Sequence, residues 1–171
     1  MRPRGFSLIE VTMVVLILAI AAAAVALNVR APMANVGMRG CIDQVVSFDR
    51  LTRAYAREQD RAVRLWVDLG AGELRRTDEE GRDQLGQSLR LPRDYRLTDL
   101  RVAGRSAGGG SMALACSAQG LTPTYAVLLE GPGGRKQWLL FAGLSGQAWE
   151  AKDEREIEGY FEACQARPYA D

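Results

Sequence analysis

The sequence predicts an α+β protein in which one long N-terminal helix precedes an antiparallel, β-rich head. Three observations carry that prediction. From Phe6 to Leu27 the chain is apolar except for one charge, Glu10. Apolar residues then recur at helical spacing as far as about Glu58, and from Val63 the period shortens to two, in strand-length runs separated by Gly- and Pro-rich turns.

The first element is long enough for a bilayer. At about 1.5 Å rise per residue the run from Phe6 to Leu27 makes a helix of roughly 33 Å, against a hydrocarbon core of roughly 30 Å. Glu10 is the anomaly within it. A charge at the centre of a membrane helix costs at least about 2.5–3.5 kcal/mol on insertion scales and persists with a partner or a function. No residue of the apolar run can pair with it, but the amine freed by cutting after Gly5 could. A cleaved secretory signal would use Arg2, Arg4 and the small triplets Ala22-Ala23-Ala24 or Ala24-Val25-Ala26. Neither that signal nor a plain anchor explains Glu10.

The succession of a short basic leader, Gly5, Phe6, Ser7, two apolar residues, Glu10 and a long apolar helix resembles the type IV prepilin signal. The resemblance implies that a prepilin peptidase cuts after Gly5 and that Phe6 becomes the N-methylated first residue. It also implies that Glu10, as the fifth mature residue, sets assembly register by meeting the amine of a neighbouring subunit. The physical reason is that pairing removes the penalty of an uncompensated charge in a dry filament interior.

Composition narrows the rest. About 140 residues remain for one head domain. The chain has 22 basic and 21 acidic residues, a net charge of +1, no histidine and three cysteines, Cys41, Cys116 and Cys164. The lack of histidine removes Ser-His and Cys-His nucleophile pairs, and the cysteines are too widely spaced for a Cys-x-x-Cys site. No enzyme activity, cofactor or metal is expected. If the head lies outside the cytoplasm, one disulfide is plausible. Cys116 with Cys164 would tie the tail to the body; the alternative is three unpaired buried thiols.

Beyond the apolar run, Pro32 and Gly37 predict a bend in the helix near Pro32. Cys41, Val45, Phe48, Thr52 and Tyr55, with Ile42 and Leu51 alongside, then form a stripe to lie on a sheet, and Asp43, Arg50, Arg53 and Arg57 are expected to face away. Val63 to Leu69 and Glu73 to Thr77 read as a hairpin across Gly70-Ala71-Gly72. Trp66 falls on its outer side, either as an edge residue covered by a loop, the favoured reading, or as a contact surface. The acidic stretch from Thr77 to Gln87 reads as a solvated loop without the register of a calcium site.

Leu89 to Val102 predicts two short strands broken by Pro92 and Asp94, and Gly104 to Ser111 a linker. Met112 to Cys116, Thr124 to Glu130 and Gln137 to Ala142 are the clearest strands, divided by Gly120-Leu121-Thr122-Pro123 and Gly131-Pro132-Gly133-Gly134. A turn and short strand come next at Leu144 to Trp149. The charged end, 150–171, reads as a short amphipathic helix or a tail pinned by Cys164.

This order, with the segments "CSAQGLTP", "TYAVLLEG", "KQWLLFAG" and "LSGQAWE", resembles the H-type minor pseudopilins of type II secretion (GspH) and the related FimT/FimU-type minor pilins. The resemblance implies a pilin-like fold and a structural subunit of the secretion pseudopilus, held in the inner membrane with its head in the periplasm. Because the tip subunit of such systems lacks the glutamate, Glu10 implies a position below the tip. The organisation expected is a leader over 1–5, a membrane half of the helix over 6–29 and its amphipathic half over 30–60. The head occupies 61–150 and the tail 151–171. Partners would be other pseudopilin or pilin subunits, the prepilin peptidase and the inner-membrane lipid bilayer. The alternative is a minor pilin of a type IV pilus whose head binds nucleic acid, for which Arg101, Arg105, Arg135 and Lys136 are the candidate contacts.

Overall fold

The computed structural model describes residues 8–103, 105–107 and 110–165, except for the side chains of 8–10, 21–36 and 165. The chain divides into two units, Met1–Gly37 and Met38–Asp171. The helix α1 spans Leu8–Glu58, and neither Pro32 nor Gly37 ends it. The bend expected near Pro32 belongs to the stretch 21–36, outside the fully described residues.

In the second unit two antiparallel sheets share one core. Strands β1 (Val63–Asp68), β2 (Glu73–Asp78), β3 (Leu89–Arg90) and β6 (Ser111–Cys116) make the first, in the order β3-β2-β1-β6. The second holds β4 (Arg96–Val102), β5 (Arg105–Ser106), β7 (Tyr125–Gly131), β8 (Arg135–Phe141) and β9 (Ala148–Ala151), in the order β5-β4-β7-β8-β9. A final helix, α2, covers Glu154–Gln165. The predicted hairpin is in place, with Val63 opposite Asp78 and Asp68 opposite Glu73. Pro92 and Asp94 separate β3 from β4, and the two strands go to different sheets.

Alternation decides which side chains fill the core. Leu65 and Val67 of β1 and Tyr125, Val127 and Leu129 of β7 point inward and meet Met38, Cys41, Ile42 and Val45 of α1. Burying each such aliphatic side chain stabilises by roughly 1.5–3 kcal/mol. The opposite face of the second sheet is also covered. Ile157 and Phe161 of α2 pack there on Ala126, Trp138, Leu140 and Ala151, while Tyr160 meets Trp149 edge to face at 4.9 Å. Of the charged end, Glu154–Gln165 forms an amphipathic helix, with Ile157 and Phe161 four apart on its buried side.

Four expectations change. Trp66 is covered by the 79–86 loop as expected: a Cβ on Gly81 would lie 3.7 Å from its Nε1, and Arg75 sits 5.2 Å over its ring. It is not on an edge, however, because β1 lies between β2 and β6. Asp78 belongs to β2 and is buried, its carboxylate accepting the backbone N–H groups of Arg82 and Asp83 at 2.7 and 3.2 Å. The acidic loop is thus anchored rather than fully solvated. The linker contains β5, which pairs Arg105 with Val102. On α1, Arg53 faces in and Leu51 faces out, the reverse of their expected sides.

Candidate functional site

Gly5 and Phe6 lie outside the described residues. Glu10 lies in α1, but its side chain is not among those described. The helix just beyond Glu10 is unusual: between Val11 and Ile20 every large apolar side chain is 52–64% exposed. Successive helical positions turn by about 100°, so this stretch is apolar and uncovered on every side. A helix of that kind is normally enclosed by protein or lipid. Val11–Ile20 rises only about 15 Å, half a hydrocarbon core, and among the described residues no helix is long and apolar enough to cross a membrane.

In the head, the buried stripe of α1 continues past Val45 through Asp49, Thr52, Arg53 and Ala56. Two charges therefore enter the interior on the same spacing as the apolar residues. They survive there because they are paired and each side-chain nitrogen of Arg53 and each carboxylate oxygen of Asp49 has a hydrogen-bond partner. Arg53 Nε donates to Asp49 Oδ2 at 2.7 Å, Nη1 donates to the carbonyls of Gly143 (2.8 Å) and Gly120 (3.3 Å), and Nη2 donates to Thr122 Oγ1 at 2.6 Å. The other Asp49 oxygen accepts the Tyr125 hydroxyl at 2.8 Å. The pair thereby ties α1 to β7, to the loop before β7 and to the loop between β8 and β9.

Two of the acceptor carbonyls belong to glycines whose backbone is packed too closely for a side chain. Gly120 takes φ +76°, which disfavours any side chain, and its Cβ would stand 2.9 Å from the Arg53 carbonyl. A Cβ on Gly143 would stand 2.1 Å from the Thr122 carbonyl. Gly120, a turn glycine noted in the sequence, and Gly143 thus bring carbonyl acceptors to a buried arginine. Sequence reasoning missed this network because it sorted residues by polarity. The available signal was an acid four residues before a base on the continuation of an apolar stripe.

Tyr125 gives the network a pH dependence. Its complete burial, reinforced by the Asp49 carboxylate, holds the phenol well above its ordinary value of 10.0. Since the folded phenol is harder to ionise than the unfolded one, its stabilisation is complete below about pH 10 and is lost as pH rises through the folded value. Stability of the full chain in detergent is expected to fall above about pH 10, and Tyr125→Phe to flatten that fall. An identical alkaline slope in the variant would remove Tyr125 from the account.

The candidate basic cluster does not assemble. Arg101 is held by Asp99 (3.1 Å), Glu158 (3.3 Å) and Glu154, and its guanidinium lies 5.1 Å over the Trp138 ring, so it fastens α2 to the second sheet. Arg105 is beside it on β5, but Arg135 and Lys136 open β8 at the other end of the sheet. Arg101 is opposite Ala126, whereas Lys136 and Arg135 are opposite Glu130 and Gly131. Four to five steps along β7 put roughly 15 Å between the two pairs.

The disulfide expected between Cys116 and Cys164 is not formed: both are free, as is Cys41. Cys116 is buried on β6 beside Ala56 and Val63, while Cys164 is exposed on α2, which packs on the other sheet. Burial pushes the Cys116 thiol up, away from reactivity.

Comparison with known proteins places these features. Residues 1–26 match the prokaryotic N-terminal methylation motif. Among solved structures, the minor pseudopilin EpsH from the type 2 secretion system of Vibrio cholerae aligns with a TM-score of 0.51 at 10% identity, over 67% of this chain and 94% of that one. No curated protein matches the chain. The motif at the start and the fold behind it are both type IV pilin-like, and the fold is like that of an H-type minor pseudopilin.

Proposed function

We propose that the chain is a minor pseudopilin, a structural subunit of a type II secretion pseudopilus that supports protein export across the outer membrane. The observation that carries this reading is the pairing of a prepilin-type motif over residues 1–26 with a pilin-like fold. In it, residues 1–5 are a leader removed by a prepilin peptidase, Phe6 is the methylated N-terminus, and residues 6–29 hold the chain in the inner membrane with the head in the periplasm. The all-round apolar exposure of Val11–Ile20 supports a helix that passes from lipid into a filament interior. Its partners are sibling pilin-class subunits, and its role is structural rather than enzymatic. A type IV pilus remains the alternative host, but the dispersal of Arg101, Arg105, Arg135 and Lys136 gives a nucleic-acid role there no support.

Intact-mass and N-terminal peptide analysis of protein recovered from native membranes tests the reading. A chain beginning at methylated Phe6 is expected. Deleting the gene then separates the two hosts, because a secretion subunit is needed for export of enzymes to the medium and a pilus subunit for surface fibres.

Glu10 has its own test. Glu10→Ala removes a charge from the apolar run, so membrane insertion is expected to be equal or better, by up to about 2.5–3.5 kcal/mol on insertion scales. Recovery in sheared filaments is expected to fall at least about tenfold, since each factor of ten needs only about 1.4 kcal/mol of lost pairing. Unchanged recovery would show that the carboxylate does not set register.

A further inference from the structure

The head carries a groove of about 470 Å³ between α1 and the strands β2 and β3. Its large apolar lining residues are Phe48, Leu51, Tyr55 and Leu89. Leu51 is 62% exposed, although the opposite side of the same helix packs into the core. Arg76 reaches into this groove from β2. Its guanidinium lies 4.1 Å over the Tyr55 ring, with Nε donating to the Leu85 carbonyl at 3.1 Å and Nη1 to the Leu51 carbonyl at 3.3 Å.

Arg76 is charged and only half solvated. Burial holds it below its ordinary value, with the Tyr55 hydroxyl acting the other way. Among the described residues no carboxylate forms an ion pair with it, including Glu58, which stands exposed on the same groove. Arg53 and Arg101, by contrast, each meet carboxylates. An unpaired guanidinium beside an apolar floor is completed by a carboxylate and an apolar side chain arriving together, because exclusion of water by the second strengthens the bond to the first.

We propose that this groove docks a different protein chain, through a segment that presents a carboxylate within one helical turn of a large apolar side chain. Among the described residues, a second copy of the head does not offer that combination at its other exposed leucines. Its other exposed leucines, Leu121 and Leu144, have no Asp or Glu within four residues. The inference stands on the head's geometry and does not depend on which filament the chain joins.

The test is photocross-linking of the full chain in its native cells, with p-benzoylphenylalanine replacing the exposed groove residue Gln87. The expected product joins this chain to a second protein, and the attached peptide carries Asp or Glu within four residues of the linked apolar side chain. Leu51→Glu, which supplies Arg76 with an acid at an exposed position, is expected to lower the yield at least about fivefold. Leu144→Glu, on another exposed leucine, is expected to leave it within about twofold. No cross-link, a link to lipid, a link between two copies of this chain (through residues near Glu10 included), a peptide without an acid, or a yield indifferent to Leu51→Glu would each overturn the proposal.

Discussion

Asp49→Ala is expected to destabilise the head by about 3–5 kcal/mol, the penalty typical of removing one member of a buried ion pair. Asp49 and Arg53 are 1% and 3% exposed, so water cannot replace the lost carboxylate without opening the interior. The Tyr125 hydroxyl loses its acceptor in the same step, and Arg53 keeps only the Gly120 and Gly143 carbonyls and Thr122 Oγ1. At about 2–4 °C per kcal/mol for a chain of this size, the melting temperature is expected to drop by roughly 6–20 °C. Thermal unfolding of the full chain in detergent measures it.

Arg53→Leu in the same chain separates pairing from bonding. Apolar replacement of a whole buried pair is often neutral or stabilising. Here Asp49→Leu with Arg53→Leu is expected to stay destabilising by about 1–3 kcal/mol for each group left unsatisfied. The Gly120 carbonyl and the Tyr125 hydroxyl would lose these partners, while the Gly143 carbonyl would keep the Thr122 N–H at 3.2 Å. A double variant as stable as the wild type would mean that the pair contributes nothing beyond its own desolvation.

What the sequence discloses depends on whether a local rule decides the structure. Strand positions in the second sheet followed from apolar runs bounded by turns at Gly120-Pro123 and Gly131-Gly134, because each turn demands backbone shapes that Gly and Pro supply. The hairpin from Val63 to Asp78 was legible for the same reason. Where a long-range partner decides, the reading failed: Arg53 is interior only because Gly120, Thr122 and Gly143, distant in sequence, converge on it. Leu51 points outward on the same helix because helical spacing overrides polarity. β5 was hidden, since two residues give no period and its pairing with Val102 is tertiary. The Cys116–Cys164 pairing failed because sequence separation says nothing about which sheet each cysteine packs on. The N-terminal features differ again: in the proposed function Gly5, Phe6 and Glu10 are read by an enzyme and by neighbours, so their order in the chain is itself the signal.

That dependence on order makes Gly5→Trp the most damaging single change expected. A peptidase acting at the head of an apolar helix must bring its catalytic groups against the Gly5–Phe6 bond, and glycine alone lets the backbone be approached from every side. An indole there is expected to slow cutting at least about 100-fold, or roughly 2.7 kcal/mol of lost transition-state stabilisation. The uncut chain would keep Arg2 and Arg4 ahead of its apolar run, so assembly would have to desolvate two extra charges while Glu10 lacked the Phe6 amine. The variant is therefore expected to lose both maturation and filament incorporation. Glu10→Ala, by contrast, should be cut normally and fail only at incorporation. Intact mass reads the first step and sheared-filament recovery the second, in the same preparations. Full processing of Gly5→Trp would refute cleavage at this bond. A wild-type chain beginning after Ala24 or Ala26 would make residues 1–26 an ordinary secretory signal, and Glu10 would then be discarded with the leader rather than retained at the start of a filament subunit.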